Sequence, residues 1–270
     1  MKVHLITYTP DPDKVVASAA RLCYSDKKIE DLLEGMTKEK ADSLVSMLAD
    51  MGHESPFEHV SFTFGIEEIS RVLSHQLVRH RLSSYSQRSQ RYVNDSNNGY
   101  FTPKAIKRDL LAKEQYDDFI KQAFENYDSV TKSLMEDLLE DLAKDKYPEF
   151  FKEHEKRSKS SNYAYSEFLD EFKENFPKDY NRLLKIAQED ARYVLPNACH
   201  TSMIVTMNAR TLLNFFSLRC CRRAQDEINE LAWEMLKKVK EVAPRIFSIA
   251  GPGCVTSKCP EGNMTCGNPY

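Results

Sequence analysis

Glycine is scarce in this chain: eight among 270 residues. None falls into a G-x-G-x-x-G or G-x-x-x-x-G-K-[ST] spacing. A Rossmann or P-loop phosphate cradle is therefore excluded, and a bound dinucleotide has to be held in some other way. Long apolar runs are missing too. None approaches the roughly 20 residues that span a bilayer. The opening MKVHLITYTP lacks the apolar core and small-residue cleavage site of a secretory signal. These absences predict a cytoplasmic protein without a membrane partner. Seven cysteines form an odd set that includes the adjacent Cys220 and Cys221, which argues against a disulfide framework. What is present is ordinary for a globular protein: 41% hydrophobic, 29% charged, formal net charge -3. We read residues 1–270 as one domain, with a helical insertion at about 93–190 and a cysteine-containing tail at 251–270.

One local absence matters more. Arg79–Tyr92 reads RHRLSSYSQRSQRY, and no acidic residue interrupts it. Four arginines and a histidine alternate with four serines and two glutamines. A solvated helix face interleaves both signs. Gathered cations with hydroxyls and amides between them suit an anion with several hydrogen-bonding edges, because each guanidinium fork grips phosphate with two bonds. A second reading of the stretch is an RNA- or nucleotide-binding module, with Arg88, Arg91 and Tyr92 combining backbone contacts and stacking. The negative net charge opposes that reading, and no nucleic-acid partner is expected.

The periodicity predicts a strand over Lys2–Tyr8 and a helix with Asp11 as N-cap and Pro12 at its first position, with Val15, Val16, Ala19, Ala20 and Cys23 on its inner face. Thr37 caps a helix with Leu44, Val45, Leu48 and Met51 inward, stopped by Gly52. His53-Glu-Ser-Pro-Phe-Glu-His59 is not H-E-x-x-H and reads as a loop, since Pro56 breaks the helix a metal motif needs. Val60 to Ile66 alternates as a half-buried strand. Glu67–Leu82 reads as a helix, and Ser83–Tyr92 as a loop able to wrap a ligand. Residues 93–110 read as loop. Leu111–Leu142 is a long helix with Tyr116, Phe119, Ile120, Ala123, Tyr127, Val130 and Leu134 at helical spacing. Residues 143–178 read as a solvated, charged excursion, and Asp179–Tyr193 as a helix. Cys199–Met207 is a strand, Asn208 an N-cap, and Leu212, Leu213, Phe215 and Phe216 the inner face of the next helix, which carries Arg219 near its end. A last helix covers Ala224–Val242. The expected class is α+β (mixed α/β), with a mostly antiparallel central sheet flanked by helices.

The spacing Arg79-His80-Arg81, seven residues, then Ser89 with Arg91-Tyr92, resembles the signature of flavin-dependent thymidylate synthases. Further blocks resemble that family: His53–His59, Arg192 in ARYVLP, Asn208-Ala-Arg210, Asn214, Arg219, and the following Gln225 and Glu227. The resemblance implies methylation of dUMP at uracil C5, with methylenetetrahydrofolate as carbon donor and NADPH-reduced FAD as reductant. It implies no cysteine nucleophile, and a homotetramer with sites shared between subunits. Arg219 would be the catalytic group at the uracil edge. Gln76, Arg79, Gln87, Arg88, Ser89, Gln90, Arg91 and Arg192 would hold dUMP. His53, Ser55, Arg79, His80, Arg81, Gln87, Asn208, Arg210 and Asn214 would hold FAD. Two departures from the pattern stand out: Gln87 where many relatives carry glutamate, and Arg223 where a histidine is frequent. Plain structural roles stay open, Arg219 as complement to a helix C-terminus and Asn208 as N-cap. No metal is expected. Cys254-x4-Cys259-x6-Cys266 is a looser spacing than a zinc knuckle, and zinc there is the alternative to free thiols.

Overall fold

The computed structural model describes residues 1–93, 99–159, 165–255 and 258–270. The chain divides into two compact units, 1–87 with 200–270, and 88–199. The first unit holds a four-stranded antiparallel sheet: β1 (Lys2–Tyr8), β2 (Ser61–Ser70), β3 (Ser83–Gln87) and β4 (His200–Asn208), in the order β1-β2-β4-β3. Its helices are α1 (Pro12–Leu22), α2 (Ile29–Glu34), α3 (Lys38–Asp50), α4 (Arg71–Leu77), α10 (Ala209–Arg219) and α11 (Asp226–Val242), numbered in chain order. The helices and the antiparallel sheet bear out the α+β expectation.

Alternation explains how the sheet seats the helices. Phe62, Phe64 and Ile66 of β2 pair with Met207, Val205 and Met203 of β4, and all six are buried. Each buried side chain of this size stabilises by roughly 1.5–3 kcal/mol. Leu212, Phe215 and Phe216 of α10 and Leu231, Met235 and Val239 of α11 join the same core. Two of the three expected caps form: Thr37 Oγ1 accepts from Lys40 N at 3.4 Å, and Asn208 Oδ1 accepts from Thr211 N at 2.8 Å. Asp11 precedes α1 at φ 46° and its side chain makes no cap bond. Gly52, at φ 69°, ends α3 as expected. Cys23 and Met51 correct the expected stripes, because both lie exposed just past their helices.

Beside the site, two elements differ from the sequence reading. The helix expected over Glu67–Leu82 is strand as far as Ser70, and helical only over Arg71–Leu77. Glu68 adopts φ 57°, and the β2–β4 register shifts between Ile66 and Ile69. The bulge lets Ile66 and Ile69, three apart, face one core, so a strand imitates helical spacing. The loop expected over Ser83–Tyr92 begins as β3, whose Tyr85 pairs with Val205. A polar edge strand has little hydrophobic alternation to betray it.

The second unit is helical: α5 (Lys104–Arg108), α6 (Leu110–Lys146), α7 (Pro148–Ser158), α8 (Tyr165–Asn175) and α9 (Pro177–Ala191). Residues 143–178 are more than a solvated excursion. Ala143, Phe168 and Phe172 join Met135, Leu139, Leu183 and Ala187 in a core of their own. Tyr147 stacks on Phe176 at 3.7 Å and His154 on Phe168 at 3.9 Å. Aromatic rings bury much area per residue, so a charged segment can still build a core. Phe119, expected at helical spacing with the inward residues of α6, is exposed. Parts of the expected loop at 93–110 (94–98), of the 143–178 excursion (160–164) and of the tail (256–257) lie outside the described residues.

Candidate functional site

The turn that follows α4 and one side of α10 border a cleft of about 840 Å³. Arg79, His80, Arg81, Asn208, Arg210, Asn214 and Arg219 all line it, with Glu54, Glu58, Leu82, Thr211 and Leu218. These seven expected residues come from segments separated by more than a hundred positions of chain.

Local chemistry places the first group. Ser70 Oγ caps α4 by accepting from Leu73 N at 3.0 Å. The helix then closes in a tight turn, with Arg79 N donating to Gln76 O and His80 N to Leu77 O. The Tyr85 hydroxyl of β3 lies 2.8 Å from the carbonyl oxygens of both Leu77 and His80 and shares its proton between them. One side chain of the edge strand thus pins the turn that presents Arg79 and His80. Arg79 and Arg81 reach solvent, while His80 is half-buried.

Helix α10 supplies the second group. At its start, Asn208 is occupied as the N-cap, and Arg210 pairs with Glu58 and, at 3.6 Å, with Glu54. At its end, Arg219 Nε donates to His80 Nε2 at 3.2 Å. The His80 ring meets Phe215 edge-on at 4.9 Å. For Nε2 to accept, His80 is neutral with its proton on Nδ1. Burial, and then the Arg219 charge, push its pKa down to about 4. Burial, and then the Arg79 charge, lower the Arg219 pKa in turn. Among the described residues no carboxylate pairs with Arg219. A cation held beside a neutral histidine and a second cation, without an anion, attracts an anionic or electron-rich ligand.

Other expected residues lie elsewhere. His53 and Ser55 are exposed in and beside the 3-10 turn Ser55–His59 and do not line the cleft. Gln76 bonds to Gln225. Gln87 donates its amide to Ser74 Oγ at 3.1 Å and Thr201 Oγ1 at 3.3 Å. Arg88, Ser89, Gln90, Arg91 and Arg192 belong to the second unit. There Ser89 Oγ accepts from Arg91 N at 3.1 Å, and Arg91 pairs with Glu189 at 2.8 Å. Arg91 and Lys185 both sit over the Tyr92 ring. Arg192 starts the 3-10 turn that follows α9. Arg223, the second departure, pairs with Glu261 of the tail. Cys254, Cys259 and Cys266 are free thiols, and among the described residues no three metal-binding side chains gather.

Sequence reasoning missed Glu54 and Glu58. Their four-residue spacing was visible, but it was weighed as part of a metal motif, and not as a clamp on Arg210.

The family described as thymidylate synthase complementing protein matches residues 4–245. The flavin-dependent thymidylate synthase of Clostridium tetani is 45% identical over 99% of this chain and 93% of its own length. That of Geobacter sulfurreducens is 42% identical over 99% and 94%. Among solved structures, a UMP/dUMP methylase from Streptomyces cacaoi, bound with 5-Br dUMP, superposes with a TM-score of 0.64. It covers 93% of this chain and 95% of its own at 21% identity, a likeness of fold. With nearly the full length matched by the family model and by these relatives, the chain belongs to the thymidylate synthase complementing protein family, that of the flavin-dependent thymidylate synthases.

Proposed function

We propose that this chain methylates dUMP at C5 to give dTMP, taking the methylene from methylenetetrahydrofolate and the electrons from FAD reduced by NADPH. The observation that carries the reading is the cleft: seven residues expected for the flavin and the uracil line one cavity of about 840 Å³. The residues present fit such a cofactor. Arg79 and Arg81 expose guanidinium forks that suit a diphosphate, and Asn214 is exposed on the cleft wall. The Asn208 carbonyl is committed to its helix, which leaves its amide N–H groups for an acceptor. When bound there, a reduced flavin supplies the two electrons that turn the transferred methylene into a methyl group.

The remaining chemistry is the protein's own. Arg219, partly desolvated, stabilises negative charge spreading over the uracil edge, where it is stronger than it would be in water. Neutral His80 accepts from Arg219 Nε and so aims the guanidinium. It keeps its Nδ1 proton as a donor. Arg79, exposed on the cleft wall, holds the phosphate of dUMP. Gln87 cannot take a proton at neutral pH, and it donates to two hydroxyls, so it serves as a tie and not as a base. A homotetramer with shared sites is part of the proposal, and sedimentation at working concentration tests it. The activity is tested by anaerobic turnover with dUMP, methylenetetrahydrofolate, FAD and NADPH. The expected result is dTMP formation coupled to NADPH oxidation. A colourless protein that ignores added FAD would overturn the reading.

A further inference from the structure

The first turns of α11 touch α10, which lines the cleft, and the start of α4, which leads into it, and they do so through side chains that the proposed chemistry does not use. Glu227 is 3% exposed and accepts from Ser70 N at 2.7 Å and from the Ser70 hydroxyl at 2.5 Å. Ser70 is the N-cap of α4, whose far end presents Arg79 and His80. Two residues on, Asn229 Nδ2 donates to the carbonyl oxygens of Arg219 at 2.8 Å and Cys221 at 3.1 Å. Both partners are acceptors, so the amide nitrogen has to face them.

The position of Asn229 follows from the helix. Side chains on α11 lean toward its N-terminus, and so toward the corner that joins α10 to α11. That corner has carbonyls to satisfy. The final C=O groups of α10 have no intrahelical partner, and Cys220 N takes Phe216 O. Arg219 O is left at the end of the helix, and the Asn229 amide takes it. The same amide ties the next turn by way of Cys221 O. A single side chain therefore holds the backbone on both sides of Cys220, immediately beside the residue whose guanidinium faces the cleft.

We infer that Asn229 is a positioning residue for Arg219: its amide fixes the Arg219–Cys221 backbone so that the guanidinium meets His80 at the cleft. Arg219 Nε reaches His80 Nε2 at only 3.2 Å, near the outer range of a useful hydrogen bond, so a modest backbone shift breaks it. Loss of the amide donor leaves the Arg219 carbonyl unsatisfied, while Cys221 O keeps its bond from Ala224 N at 2.9 Å, and it removes the one side chain that joins the two, which frees the corner to relax. A carboxylate in its place repels both. The inference rests on the reading of Arg219 given above only in its kinetic consequence, because the geometric consequence is measurable without turnover.

The experiment compares Asn229→Ala and Asn229→Asp with the parent enzyme carrying its flavin. Three quantities are read: kcat and KM for dUMP, flavin affinity, and the titration of His80 by NMR. The expected result is a kcat lower by about tenfold or more, as a misplaced catalytic group produces. Flavin affinity should stay within about twofold, and the His80 titration should move upward as the Arg219 contact loosens. A protein that melts lower yet keeps its kcat and its His80 titration shows a purely structural cap and overturns the inference. Should neither variant fold, the parent decides. Slow exchange of the Asn229 side-chain amide protons supports the two bonds, and exchange at the free rate overturns them. If the parent itself makes no dTMP, the functional reading fails, while the His80 titration still decides the role of Asn229.

Discussion

The two ends of α10 carry one arginine each, and they are treated oppositely. Arg210, in the first turn, is held by Glu54 and Glu58, and these carboxylates raise its pKa. Arg219, in the last turn, faces a neutral histidine and another arginine, and its pKa is lowered. The first is a cation already neutralised, near solvent. The second is a cation kept short of anions and partly desolvated. The comparison teaches that guanidinium count says little about where a ligand's charge will settle. Pairing within the protein says more, because a paired fork has spent its donors and its field.

Four experiments break or sharpen that contrast. The largest effect is expected from Phe215→Ala, which removes the ring against His80 from a fully buried position. Truncations of this kind cost about 3–5 kcal/mol, read as a lower midpoint in urea. Next is Arg219→Lys. Turnover should fall about a hundredfold or more, while flavin stays bound, because lysine lacks the fork that both touches His80 and spreads over the ligand edge. An unchanged kcat would end the proposed role. Third is the pH dependence of stability. The His80 pKa lies near 4 in the fold, against 6.5 ordinarily. The unfolded chain therefore binds the proton first, and stability falls as pH drops from about 6.5 toward 4. In Arg219→Met this dependence should weaken without vanishing, since burial is the larger cause. The smallest effect belongs to Arg210→Met. Its pairs are exposed and screened, so a slight fall in melting temperature is expected that disappears at high salt. A loss of activity matching that of Arg219→Lys would erase the distinction between the two ends.

Much of this was legible in advance, for identifiable reasons. Val60, Phe62, Phe64 and Ile66 alternate without a break, so β2 announced itself. Thr37, Gly52 and Asn208 are local signals, since a cap needs only its own few residues. What misled was local mimicry. Ile69 falls at helical spacing with Val72, Leu73 and Leu77, but a left-handed Glu68 and a shifted register keep it in the strand β2. Ser83–Gln87 looked like loop, because β4 pairing and not its own composition makes it a strand. In the second unit the charges of residues 143–178 masked Phe168 and Phe172, which a handful of rings sufficed to bury.

Taken alone, the sequence determined which kinds of side chain are present: arginines, amides and hydroxyls at a spacing that matches one family, with too little glycine for a nucleotide loop. Those properties are covalent or short-range and need no knowledge of neighbours. Only the tertiary structure decided which arginine is neutralised and which, among the described residues, has no carboxylate partner. That choice depends on distances between residues far apart in the chain: Glu58 to Arg210, and His80 to Arg219. Electrostatic energy varies with separation and burial, and both come into being when the sheet and α10 pack together.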